Sequence, residues 1–442
     1  MESMNYDKAR QYIEDAGKYG MVLGLSTMQN LLARLGNPQD KLKFVHIAGT
    51  NGKGSVGAFL NEILRTAGIK TGRYISPALF SYEERIQISD EKGTEYISKW
   101  NVAKWMSAIE FAVLEMVADG LPHPTPFELE TAMAFMEFET QGCQLVLLET
   151  GLGGRLDATN VIKTGVCQIF TAISRDHMQF LGETLTEIAL EKAGIIKKGV
   201  PSVSWPQEPE VKKVLLETAL KLDSELIWAD LEKLAIREMT LEKTAFSYKG
   251  EEFETALLGE NQPGNAALAI EAARMLEKQG YSLGKEAICE GIKKACWAGR
   301  FTIVFREPVI IIDGAHNEAA AQSLARSLKI YFPEEKLIGI VGMFKDKEYD
   351  KVLKETLPFM EKVYTLKPEG ERGLPAAVLS ECAKKYCQRV TSCQSAGEAF
   401  KTAIQENENK TAISVYGSLS FLHEITKILQ YNDARVKRSK PT

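Results

Sequence analysis

At 442 residues the chain exceeds what one hydrophobic core usually serves, so two domains are the default. It is 45% hydrophobic and 26% charged, as soluble globular proteins are, and a formal net charge of -5 gives no reason to expect nucleic acid or an acidic membrane as partner. Seven cysteines without a CxxC pair argue for reduced thiols in a cytoplasmic protein and against a zinc site or a disulfide framework.

The N-terminal MESMNYDKARQYIEDAGK is amphipathic and acidic, unlike a signal peptide, and no run approaches about 18 consecutive apolar residues, so no membrane span is expected. Short runs rich in Val and Ile then alternate with segments of helical period. Phe44 to Ala48, Leu145 to Glu149, Val166 to Ile173 and Pro201 to Ser204 read as buried strands. Ser55 to Ala67, Val102 to Ala118, Phe127 to Gln141 and Leu185 to Ile195 read as helices. This alternation predicts an α/β fold with a mostly parallel sheet covered on both faces. From Trp228 to Leu257 polar and apolar residues alternate, which predicts a small antiparallel patch. Helical period returns from Pro263 to Ala295, and the α/β alternation restarts near Arg300 with FTIVF, VIIID, LIGIVG, KVYTL and TAISVYG as strands. The expected division is a P-loop ATP-binding domain over 1–297 and a smaller Rossmann-like domain over 298–442. The basic end Arg435 to Lys440 reads as a solvated tail.

Four strand-end loops carry chemistry. The first, Gly49-Thr50-Asn51-Gly52-Lys53-Gly54-Ser55, follows a buried strand and opens a helix. There, backbone N–H groups can wrap an anion and a lysine can reach terminal phosphates, so the cradle suits a polyphosphate. It departs from G-x-x-x-x-G-K-[ST] because Gly54 separates the lysine from the hydroxyl residue. In the second, Glu149 closes an apolar strand ahead of Thr-Gly-Leu-Gly-Gly-Arg155-Leu-Asp157, and a carboxylate there can hold Mg2+ bound to phosphate oxygens. Arg155 and Asp157 could serve the substrate or merely pair with each other. The third is Ser174-Arg-Asp176-His177, whose imidazole is a metal-ligand candidate. The fourth, Asp313-Gly-Ala-His316-Asn317, again follows a buried strand, and a cleft between the domains is the expected consequence. These features describe an ATP-dependent enzyme. Phosphoryl transfer to a hydroxyl, activation of a carboxylate as an acyl phosphate, and a nucleotide-switched binding protein all stay open at this level.

Beyond the loops, the chain resembles the folylpolyglutamate synthase and dihydrofolate synthase family of the Mur ligase superfamily. The matching segments run in order: LGNPQDKLKFVHIAGTNGKGSV, SPALFSYEERI, TPFELETAMAF, LLETGLGGRLDATNV, DHMQFLGETLTEIALEKAGI, GENQPGNAALAI, AGRF, IIDGAHN, GMFKDKE and YGSLSFL. The resemblance implies that ATP phosphorylates a carboxylate of a pteroate or folate and that L-glutamate attacks the acyl phosphate. It implies Lys53 as the residue offsetting phosphate charge, Ser76, Glu149 and His177 as ligands of two Mg2+ ions, and Lys192 as a carbamylated lysine. It also implies Asn265 and Arg300 at the nucleotide, Asp313 and His316 in a loop that closes over ATP and places the glutamate, and Phe127, Arg155 and Asp157 at the substrate. A monomer is expected, with small molecules as its partners. Other Mur-type ligases of cell-wall precursors and small-molecule kinases are the competing readings. Three positions depart from the family pattern: Ala78 in SPAL for SPHL, Asn261 where histidine is usual, and Ala298 in AGRF for PGRF.

Overall fold

The computed structural model describes residues 4–20, 24–408, 410–418 and 421–428. The basic end 435–440 and part of the YGSLSFL motif lie outside them. Contacts divide the chain into two compact units: residues up to Leu234 with Gly264–Ala295, and Ala235–Pro263 with Cys296 onward.

In the first unit, β1 (Phe44–Ala48), β2 (Thr71–Tyr74), β3 (Ile86–Asp90), β4 (Gly93–Tyr96), β5 (Leu145–Glu149), β6 (Gly165–Phe170), β7 (Ser202–Ser204) and β8 (Leu226–Trp228) form one sheet in the order β4-β3-β2-β5-β1-β6-β7-β8. Strands β2, β5, β1, β6, β7 and β8 are parallel, while β3 and β4 extend one edge antiparallel. Every residue of β1 and β5 is buried, as strands covered on both faces require. One core gathers Ile13, Met28, Phe44, Tyr74, Trp105, Phe135 and Val146, bringing the helices Tyr6–Asp15, Ser26–Arg34, Lys99–Ala118 and Pro126–Thr140 together. Another gathers Ala48, Phe170, Ile188, Val211 and Leu215 under the helices Leu185–Ala193 and Pro209–Lys221. Capping boxes at Thr125/Glu128 and Thr184/Glu187 set where two of these helices begin, each satisfying backbone donors that the first turn leaves unpaired.

The helical stretch after Pro263 is two helices, Gln262–Lys278 and Gly284–Lys294. They part at Gly280, whose φ of 95° is a left-handed helix stop suited to glycine. The second crosses the helix Lys53–Thr66 closely enough that a Cβ on Gly291 would sit 2.5 Å from Ile63 Cα.

The second unit holds β9 (Leu234–Met239), β10 (Thr244–Tyr248) and β11 (Glu251–Thr255) in a three-stranded sheet, so the small antiparallel patch joins this unit through its contacts. Phe246 faces Phe253 across β10 and β11, with ring centroids 5.5 Å apart. A six-stranded sheet follows from β12 (Thr302–Arg306), β13 (Val309–Asp313), β14 (Leu337–Gly342), β15 (Met360–Leu366), β16 (Val390–Ser392) and β17 (Ile413–Gly417). Its order is β12-β13-β17-β14-β15-β16, parallel except for β12. No helix among the described residues is long and apolar enough to cross a membrane.

Candidate active site

The glycine loop after β1 is held from below. Thr50 and Asn51 N–H groups donate to Ala172 O at 2.9 and 3.2 Å, and Thr50 Oγ1 donates to Ser174 O at 2.9 Å. The loop therefore rests on the segment that follows β6. Gly49 has φ 150°, and a Cβ there would meet Thr171 Oγ1 at 1.9 Å; on Gly52, with φ 95°, it would meet Asn265 Oδ1 at 2.8 Å. Both positions exclude side chains, and the second brings Asn265 against the loop. The helix Lys53–Thr66 starts with no side-chain cap, and a helix N-terminus of this kind suits an anion.

Three cations, Lys53, Lys192 and Arg73, converge on this loop. Lys53 Nζ donates to Gly49 O at 3.2 Å and stands 3.8 Å from Glu149 Oε1. Lys192 Nζ donates to the same Gly49 O at 2.9 Å. Lys192 is buried, and burial, with Lys53 adding to it, lowers its pKa to about 7. Arg73 is also buried and donates from Nη2 to Gly54 O at 2.6 Å. Desolvation lowers its pKa to about 10, with Glu149 the foremost charge acting against that shift.

Ser76 follows β2 and Glu149 ends β5, its parallel neighbour, so both stand at the same end of the sheet, while His177 lies in the loop beyond β6. Glu149 is buried, whereas the His177 side chain is 40% exposed and lies 3.9 Å from Asp176. Among the described residues no group of three or more His, Cys, Asp or Glu is placed to hold a metal. The Glu149 carboxylate and the Ser76 hydroxyl are oxygen donors of the kind magnesium takes, whereas the His177 imidazole is of a type that softer metals prefer.

The remaining candidates divide. Phe127 packs on the glycine loop after β5, where a Cβ on Gly151 would meet its Cζ at 2.5 Å. Arg155 pairs with Glu191 at 2.7 Å, not with Asp157. Asp157 is spent within its own loop, one oxygen accepting from Leu152 N at 2.7 Å and the other from Thr159 N at 3.0 Å. Thr159 Oγ1 in turn meets His46 Nε2 at 2.8 Å, and burial drives the His46 pKa down to about 3. In the second unit, Asp313 joins two motifs. It accepts from Phe301 N at 2.7 Å and Ala315 N at 2.8 Å, while Gly314 N donates to Gly299 O at 2.9 Å. Burial raises its pKa and Arg300 acts against that shift. His316 Nδ1 lies 2.7 Å from Gly314 O, and Asn261 Nδ2 donates to Ser323 Oγ at 2.9 Å. Sequence reasoning missed Arg73, Thr171 and His46. No periodic signal pointed to any of them, Arg73 being a single charge inside the short strand TGRY.

The Mur ligase middle domain matches residues 47–273 and the Mur ligase glutamate ligase domain residues 299–419. The chain is 33% identical over 444 aligned residues to the dihydrofolate synthase/folylpolyglutamate synthase of Bacillus subtilis, covering 96% of this chain and 99% of that one. The chain belongs to the folylpolyglutamate synthase and dihydrofolate synthase family of Mur ligases. Its fold is that of the family's solved members. The folylpolyglutamate synthase of Thermotoga maritima superposes with a TM-score of 0.82 at 33% identity, covering 96% of each chain. That of Mycobacterium tuberculosis, solved with ADP and AMPPCP, gives 0.86 at 28% identity over 96% of this chain and 99% of that one.

Proposed function

We propose that the chain joins L-glutamate to the carboxylate of dihydropteroate, of a reduced folate, or of both, at the expense of ATP. The observation that carries this reading is the glycine loop with Lys53 set between Gly49 O and Glu149, in a member of this ligase family.

First-turn N–H groups of Gly52–Ser55 take the phosphates, and Lys53 offsets negative charge that grows on the β and γ oxygens. A substrate carboxylate oxygen attacks the γ-phosphorus, the bond to the ADP oxygen breaks, and an acyl phosphate results. The glutamate amine then attacks the acyl carbon, phosphate departs with the original carboxylate oxygen, and the amine proton passes to solvent. Two magnesium ions, when held by Ser76, Glu149 and His177, would draw the mutually repelling phosphates and carboxylate together. Lys192 is the candidate for carbamylation. With its pKa near 7, a large share of the amine is neutral at neutral pH and can add to CO2, forming a C–N bond with loss of one proton. Asn265 and Arg300 are assigned to the nucleotide, and Asp313 and His316 to the incoming glutamate. Phe127 is assigned to the substrate, with Arg155 and Asp157 shaping the loop on which it lies. The division into an ATP-binding domain over 1–297 and a ligase domain over 298–442 belongs to the same proposal, as do the cytoplasmic location and the monomeric state.

The test is to incubate purified protein with Mg-ATP and L-glutamate, supply dihydropteroate or tetrahydrofolate separately, and read product masses. A product heavier by one glutamyl unit, or a ladder of them, is expected with at least one acceptor. ADP formation independent of any pteridine or glutamate would contradict the reading.

A further inference from the structure

Arg73 is a charged residue inside β2, and at 4% exposure it is shut off from water. Burying a cation is costly unless its surroundings match it closely, so a strand that keeps one there calls for a reason. The side chain lies against the first two turns of the helix Lys53–Thr66. Its Nη2 donates to Gly54 O at 2.6 Å, and a Cβ on Gly57 would stand 3.3 Å from its Nε and 3.5 Å from its Nη2. Glycine weakens a helix interior, yet at position 57 its bare backbone gives the guanidinium room to approach.

The contact bears on the nucleotide loop through one peptide unit. Gly54 C=O and Ser55 N–H belong to the same plane and point in opposite directions. A donor held on the carbonyl therefore sets where the N–H points and polarises it toward an acceptor. Gly54, without a Cβ, would otherwise let this plane turn at little cost. Arg73 is also in register with Leu147 of β5, so its side chain shares a sheet face with Leu147 and with Glu149 two residues on. Glu149 is the carboxylate that stands 3.8 Å from Lys53.

We propose that Arg73 is a positioning residue for the nucleotide step: it locks the Gly54–Ser55 peptide unit so that the loop holds the terminal phosphates, and it balances Glu149 when Lys53 turns to them. The assignment rests on the nucleotide reading above and adds to it a residue that acts through the loop without touching the ligand.

The test is calorimetric titration of AMPPCP, and separately of AMP, which lacks the terminal phosphates. Each is titrated at fixed Mg2+ into full-length protein and its Arg73→Met, Arg73→Lys and Gly57→Ala variants, with circular dichroism as the folding control. Arg73→Met is expected to weaken AMPPCP by about tenfold or more, as loss of one charged donor does, while AMP binds as before. Arg73→Lys keeps a charge and a donor and should restore most of the AMPPCP affinity. Gly57→Ala presses on the guanidinium from the helix side and should weaken AMPPCP selectively, which keeps the test decisive if Arg73→Met does not fold. Unchanged AMPPCP affinity in folded Arg73→Met, or in folded Gly57→Ala where the methionine variant does not fold, would overturn the assignment. Equal losses for AMP and AMPPCP, or Arg73→Lys as weak as Arg73→Met, would overturn it too. In each of those events a wild type that binds AMPPCP leaves the nucleotide reading standing. A wild type that binds none overturns both.

Discussion

Lys53 and Lys192 share one acceptor, Gly49 O, yet the surroundings ask different things of them. Lys53 faces Glu149 and is proposed to follow the phosphates. Lys53→Ala is therefore expected to lower ADP formation by about 10²- to 10³-fold, the loss typical of one group aimed at developing charge, with an unchanged circular dichroism spectrum. Among the described residues Lys192 forms no ion pair, and Asp176 and Asp157 offset its burial only in part. Its pKa falls from the ordinary lysine value of 10.5 to about 7, so the unfolded chain holds the proton more tightly than the folded one. Burial of this amine opposes folding in full below about pH 7, and the opposition fades as pH rises toward 10.5. In bicarbonate-free buffer, Lys192→Met should consequently gain stability over wild type most at pH 6 and progressively less toward pH 10, as read by urea midpoints. A gain that grows with pH would contradict the assigned shift. At this scale glycine spacing and a strand end mark the positions of Lys53 and Glu149 in the sequence. Arg73 is not so marked, because a single charge in a short strand carries no periodic signal and its importance comes from what the fold stacks above it.

The loop after β5 and the helix Leu185–Ala193 fit together through missing side chains. A Cβ on Gly154 would meet Glu191 O at 2.8 Å and Lys192 O at 2.9 Å, and one on Gly194 would meet Arg155 Cβ at 2.4 Å. Backbone is the obstacle at Gly154, so it cannot swing aside. Gly154→Ala should lower stability by about 1–3 kcal/mol, measured by urea unfolding, and should reduce ATP turnover because the displaced helix carries Lys192. Loss of stability with full turnover would show that the helix can shift without disturbing the amine. The strands β1 and β5 match their apolar runs residue for residue, as uniform burial makes a continuous pattern. Strands β2, β3 and β4 did not stand out. They are four or five residues long, and two of them lie at an antiparallel edge where the hydrophobic signal is diluted.

At the scale of the molecule, sequence alternation gave two α/β sheets and a restart near Arg300. It could not show that Gly264–Ala295 packs back with the first unit while Ala235–Pro263 joins the second, because contacts between distant segments leave no mark on local periodicity. The proposed chemistry draws on motifs from both units, and it requires divalent metal: turnover should vanish in EDTA and return with excess Mg2+, whereas persistent turnover in EDTA would contradict the donor assignment of Ser76, Glu149 and His177. The central claim is that the substrate carboxylate, not a hydroxyl or water, accepts the γ-phosphoryl group. Labelling that carboxylate with oxygen-18 and analysing the phosphate released during glutamate ligation tests it most directly. The account predicts one labelled oxygen in each phosphate formed. Amide product accompanied by phosphate free of the label would contradict it.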